Sequence, residues 1–263
     1  MSKMRRRLYI AAILVAVAAL ILIEIFKPAP FGKETLDKSF QTSISRLIGA
    51  AVFVMVVIYL GHDVLRAKYA FSGRVLYILP CLAVAVNNLP YVALIRGDAR
   101  VTGDAFEILF FAVECILVAL FEELAFRAAL FVSIMRNRRS TKGIFFSIVI
   151  SSALFGLFHM VNLIYGASIG SVLLQIGYST LIGCMCAFIL LKTQSVWLCA
   201  TVHAIYNFCG QIVPRLGEGD MLNAPQIIIT VIISALCAIY IIMTLIKTGA
   251  LEADRLYFQN NRS

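Results

Sequence analysis

The chain has 263 residues, 61% of them hydrophobic and only 14% charged, with a formal net charge of +9 at pH 7. Soluble domains carry about 25% charged residues, so this composition excludes an ordinary water-soluble fold and indicates an integral membrane protein. The basic excess lies in short clusters beside apolar runs, a pattern suited to anionic lipid and not to nucleic acid.

The chain opens with a basic segment, Met1 to Arg7, followed by an apolar run over 8–26 that Glu24 interrupts. A secretory signal has a shorter core and a small-residue cleavage site. This run is long enough to span a bilayer and predicts a retained first helix. Seven further apolar segments follow, at 44–65, 75–95, 105–135, 143–163, 170–191, 195–213 and 225–246. Backbone in hydrocarbon must satisfy its own hydrogen bonds, so segments of this length are helices. The expected fold is all-α, a polytopic transmembrane bundle of about eight helices forming a single integral membrane domain over 1–263. The fourth segment exceeds a perpendicular span and must tilt or run past the interface.

Lys and Arg bias sets orientation. With the N-terminus in the cytoplasm, 15 basic residues fall in inside segments and 7 in outside ones, four of the latter in the 27–46 loop. Both termini are expected to be cytoplasmic. All seven Cys lie in apolar stretches without a CxxC pair. They read as small packing residues, not as a disulfide framework.

Ionisable groups at bilayer depth are costly and mark functional sites. Glu24, Glu107, Glu114, Glu122, Glu123, Arg127, His159 and His203 qualify, whereas His62, followed by Asp63, reads as interfacial. Glu123 and Arg127 are four residues apart on one helix face and can pair. Glu122 is turned about 100° away and stays available. Phe155 and His159 share a face, and Gly156 permits close approach of another helix. His203 and Asn207 share a face of the seventh helix. An activated water needs a base and the resulting oxyanion needs donors. Glu122 with His159 could serve the first need, and His203 with Asn207 the second. Glu24, Glu107 and Glu114 read as structural or interfacial, and Tyr165, Tyr178 and Tyr206 as packing or interface anchors.

Glu122-Glu123-xxx-Arg127, Phe155-xxx-His159 and His203-xxx-Asn207 on successive apolar helices resemble the CPBP family of intramembrane proteases (CAAX proteases and bacteriocin-processing enzymes, also called the ABI family). The resemblance covers 105–213, which would be the catalytic core, helices four to seven. It implies peptide-bond hydrolysis of a peptide or protein substrate at the membrane, with no cofactor. Glu122 would be the general base assisted by His159. His203 and Asn207 would stabilise the oxyanion, and Glu123 and Arg127 would hold the arrangement. The family's associations are CaaX-tail processing, bacteriocin or peptide maturation and self-immunity. Short loops lean toward a multi-pass protein of a bacterial plasma membrane.

Three other readings compete. Glu122, His159 and His203 would form a His₂Glu zinc set, though no HExxH motif is present. A non-catalytic scaffold or modulator of a signalling partner would not need the motif intact. A transporter would show discontinuous helices and inverted repeats, and neither is apparent in the sequence.

Overall fold

A computed structural model describes residues 25–66, 73–138, 140–221, 223–248 and 253–256, with isolated positions between 11 and 23. The first expected span, 8–26, falls largely outside the described residues, as does Glu24. The rest is a helical bundle, as expected. In chain order its helices are α1 (Glu34–Leu60), a 3₁₀ stretch (Gly73–Ile78), α2 (Leu79–Asn87), α3 (Tyr91–Arg96), α4 (Ala105–Glu123), a π-helical stretch (Leu124–Phe131) and α5 (Val132–Met135). After a turn come α6 (Thr141–Phe158), a 3₁₀ stretch (His159–Leu163), α7 (Ile169–Thr193), α8 (Val196–Leu216) and α9 (Ala224–Ile246). A three-residue ribbon joins β1 (Ala99–Val101) to β2 (Gly217–Gly219), antiparallel, with Arg100 opposite Glu218.

Among the described residues, five helices are long and apolar enough to cross a membrane: Glu34–Leu60, Thr141–Leu163, Ile169–Thr193, Val196–Leu216 and Ala224–Ile246. The chain is therefore a multi-pass membrane protein. Its outer face follows the same logic: α9 presents Ile228, Val231, Ile232, Leu236 and Ile239 outward, an apolar surface that lipid covers. Inside, α4 lies between α1 and α8, and α6 packs along α7. All seven cysteines are free, five of them buried, in keeping with a packing role.

Three local features depart from the sequence expectation. The 27–46 stretch is not a loop, because α1 begins at Glu34 and carries Arg46 three turns into the helix. Its polar first turns are held by partners: Thr35 donates to Glu107 at 2.7 Å and Ser39 to Glu114 at 2.5 Å. Lys33, just ahead of the helix, bonds Glu107 at 2.7 Å, and this bond raises its ammonium pKa above the usual lysine value.

The 75–95 segment is not one helix, which corrects the expectation of no discontinuous helices. It stops at Asn87 and resumes at Tyr91, across Pro90. Proline lacks an N–H and disfavours helical backbone at the residue before it. The freed groups are met by side chains: Gln226 of α9 donates to the carbonyls of Asn87 (3.0 Å) and Leu89 (3.3 Å). Asn88 in turn donates to the Tyr206 carbonyl at 2.9 Å.

The 105–135 segment is one continuous rod whose hydrogen-bond ladder loosens to π spacing at Leu124, directly after the Glu pair. Such turns are rare and recur at functional sites. The Ala128 carbonyl in this stretch bonds His62 Nδ1 at 2.7 Å. His62, just past the end of α1, is thus held inside the protein, with only 2% exposure.

Two glycines allow the helices around the site to meet. A Cβ on Gly156 would strike the Thr180 hydroxyl and the Ile176 carbonyl of α7, and one on Gly183 would lie 2.8 Å from Ser152 Cβ. Valine at Gly183 should cost about 1–3 kcal/mol by overpacking. A lowered thermal midpoint in detergent would show this; an unchanged midpoint would mean that the helices part freely here.

Candidate active site

The fold gathers the expected site residues at one place. Glu122, His159, His203 and Asn207 all line a single cavity of about 190 Å³. Glu122 and Glu123 end α4, His159 begins the 3₁₀ stretch that caps α6, and His203 and Asn207 lie in mid α8. Glu123 and Arg127 sit behind the cavity, 0% and 1% exposed.

Glu123 Oε2 lies 3.1 Å from Arg127 Nε, the ion pair that the i, i+4 spacing predicts. Its other oxygen, Oε1, is 2.7 Å from His203 Nδ1. An ionised carboxylate only accepts, so Nδ1 carries the proton and the ring is fixed in orientation. His203 Nε2 then points to Glu122, with Oε2 at 3.6 Å. Sequence spacing gave no hint that Glu123 holds His203 as well as Arg127. The two carboxylate–imidazole contacts within 4.0 Å at the site both belong to His203, while Glu122 and His159 line the same cavity without such a contact.

His159 is fixed by its own helix. Its Nδ1 lies 3.1 Å from the Phe155 carbonyl, an acceptor, so Nδ1 carries a proton and, in the neutral ring, Nε2 keeps the lone pair. The Phe155 ring supports the whole assembly. It packs edge-on to His159 (5.1 Å) and to His203 (5.8 Å), and the Arg127 guanidinium lies 4.1 Å from its centroid. Cation–π attraction is strongest where the cation is desolvated, as here.

The cavity also holds groups that the sequence reading passed over. Arg46, Gln175 and Gln211 line it, together with Asn162, Tyr178 and Tyr206. Asn162 donates to Gln175 at 2.8 Å and so ties the cap of α6 to α7. Gln211 extends the His203/Asn207 stripe by one more turn, a signal that was visible in the spacing. Tyr178 and Tyr206 face the cavity in addition to packing. Glu114 and Glu107 do not line it: Glu114 pairs with Arg215 at 3.0 Å, and Glu107 completes a capping box with Asp104.

The three donors close enough to share an ion, among the described residues, are Glu123, Cys186 and His203, with ligand atoms within 4.8 Å of one another. This is not the Glu122, His159 and His203 set. It also fits a dication poorly, because Glu123 already neutralises Arg127, whose charge would repel the metal.

Residues 104–209 match the family model for type II CAAX prenyl endopeptidase Rce1-like proteins. No curated protein and no solved structure matches the chain.

Proposed function

We propose, from the premise that this chain belongs to the CPBP family through residues 104–209, that it is an intramembrane endopeptidase acting by a glutamate-activated water. What carries the reading is the convergence of one unpaired-by-arginine carboxylate, two imidazoles and one carboxamide on a single polar cavity between apolar helices.

Glu122 takes a proton from water, and His159 Nε2, with its free lone pair, orients that water. The new C–O bond forms as the carbonyl oxygen becomes an oxyanion. His203 Nε2 and the Asn207 amide stand opposite as donors, the former requiring a doubly protonated ring. Glu123 and Glu122 flank that ring at 2.7 Å and 3.6 Å, and with Arg127 the four charges would sum to zero. Burial makes such preorganised donors far stronger than in water. The tetrahedral species then collapses: the C–N bond breaks and Glu122 returns its proton to the leaving nitrogen. One product ends in a carboxylate and the other begins with an amine.

A second reading is favoured by the 2.7 Å Glu123–His203 contact. An imidazole oriented by a buried carboxylate is the arrangement of a base in nucleophilic triads, and His203 Nε2 could itself take the proton. The two readings separate by which single substitution removes turnover.

In the leading reading the substrate is a prenylated CaaX-like tail or a peptide precursor presented at the membrane surface, as in peptide maturation, bacteriocin processing or self-immunity. The chain crosses a bacterial plasma membrane eight times with both termini inside, and 105–213 is the catalytic core. The test is comparative peptidomics of membranes carrying wild type or His203→Ala. A fragment pair present only with the wild type identifies activity and substrate together. No difference between the two, with both proteins folded, would favour a non-catalytic membrane scaffold.

A further inference from the structure

One charge in the cavity has no role in the chemistry above. Arg46 of α1 lines the same space as Glu122, His159, His203 and Asn207. Its guanidinium carbon lies 5.0 Å from the centroid of Phe121, the residue preceding Glu122, so it stands at nearly the depth of the proposed base. Two other arginines packed among these helices have carboxylates: the buried Arg127 has Glu123 and the half-buried Arg215 has Glu114. Arg46 has no carboxylate within 4.0 Å among the described residues, and its Nε is buried without a hydrogen-bond partner.

A guanidinium held at bilayer depth without an anion is expensive. Stacking on Phe121 offsets part of that cost and fixes the planar fork. An aligned fork is suited to bidentate binding of a carboxylate. The remaining walls narrow the choice of anion. Carboxamides of Asn162, Gln175 and Gln211 surround the site and match peptide N–H and C=O groups, not a bulky phosphodiester bearing two acyl chains.

We propose that Arg46 binds the free α-carboxylate at the C-terminus of the substrate. It would anchor the chain end so that a bond a short extended stretch away, at about 3.3–3.6 Å per residue, meets Glu122. This rests on the peptidase reading for its meaning, but the binding step can be tested without turnover.

The probe is a fluorescent prenylated CaaX peptide, made as the free acid and as the C-terminal amide. Its binding to the full chain in neutral phosphatidylcholine vesicles is followed by anisotropy, and its cleavage by chromatography. Wild type should bind the acid about 10- to 100-fold more tightly than the amide, the span expected of a charge-assisted pair. Arg46→Gln should bring the ratio close to one, and Arg46→Lys should fall between, because an ammonium lacks the fork. The ratio is internal to each protein, so partial misfolding does not imitate the result.

Equal binding of acid and amide by wild type, or binding of neither, overturns the proposal. So does an acid preference that survives in Arg46→Gln. Preference for anionic vesicles without acid selectivity would assign Arg46 to lipid headgroups instead and likewise overturns it. Acid selectivity without cleavage would leave this proposal standing and count against the peptidase reading.

Discussion

Glu122→Gln should lower the rate of peptide hydrolysis by about 10²- to 10⁴-fold, the contribution of a positioned general base. Glutamine has the same shape but cannot accept a proton at working pH, so the water stays un-ionised. Substrate binding should change little, because the carboxamide still lines the same cavity. The fold should also persist. Glu122 is a cavity-wall residue whose side chain keeps 11% exposure, and a carboxamide there can bond water. Measured as kcat with the thermal midpoint alongside, the expected outcome is lost turnover in a stable protein. Full turnover in this variant would end the proposal that Glu122 is the base. If His203→Ala then abolished activity, the base would be His203 oriented by Glu123.

Arg127→Leu should destabilise the protein by about 3–5 kcal/mol, the usual cost of removing one partner from a buried ion pair. The reason is the carboxylate left behind: Glu123 is 0% exposed, and without the guanidinium it loses its arginine partner. The Phe155 ring would lose its cation in the same step. The double variant Glu123→Gln/Arg127→Leu should recover part of the loss, since it removes both charges together. Activity should nevertheless remain low in the double variant, because the carboxylate that holds His203 through Nδ1 is gone. Thermal unfolding of the three variants in one detergent decides the matter. A single variant as stable as the wild type would show that Glu123 is protonated or solvated, against the ion pair seen here.

Much of the site was legible because its signals are local. Glu123 and Arg127 pair at the distance that i, i+4 spacing implies, and Phe155 meets His159 for the same reason. Gly156 lies against α7, as a glycine between intramembrane helices should. What failed was inference across helices. Arg46 was counted in a loop because Glu34, Asp37 and Lys38 make 34–43 polar, although Thr35 and Ser39 use that polarity to bond α4. No sequence rule places a π-helical carbonyl beside His62, so its bond to Ala128 is visible only in the fold.

Sequence alone determined the solvent and the ingredients. Apolar runs of bilayer length dictate helices in lipid, and the rarity of ionisable groups there singles out the Glu pair, Arg127 and the two histidines. Only the tertiary structure decided which imidazole meets which carboxylate, that 75–95 breaks across Pro90, and that Arg46 faces the cavity. The physical reason is that spacing fixes angles within one helix, whereas the rotation and depth of one helix against another follow from packing over the whole bundle.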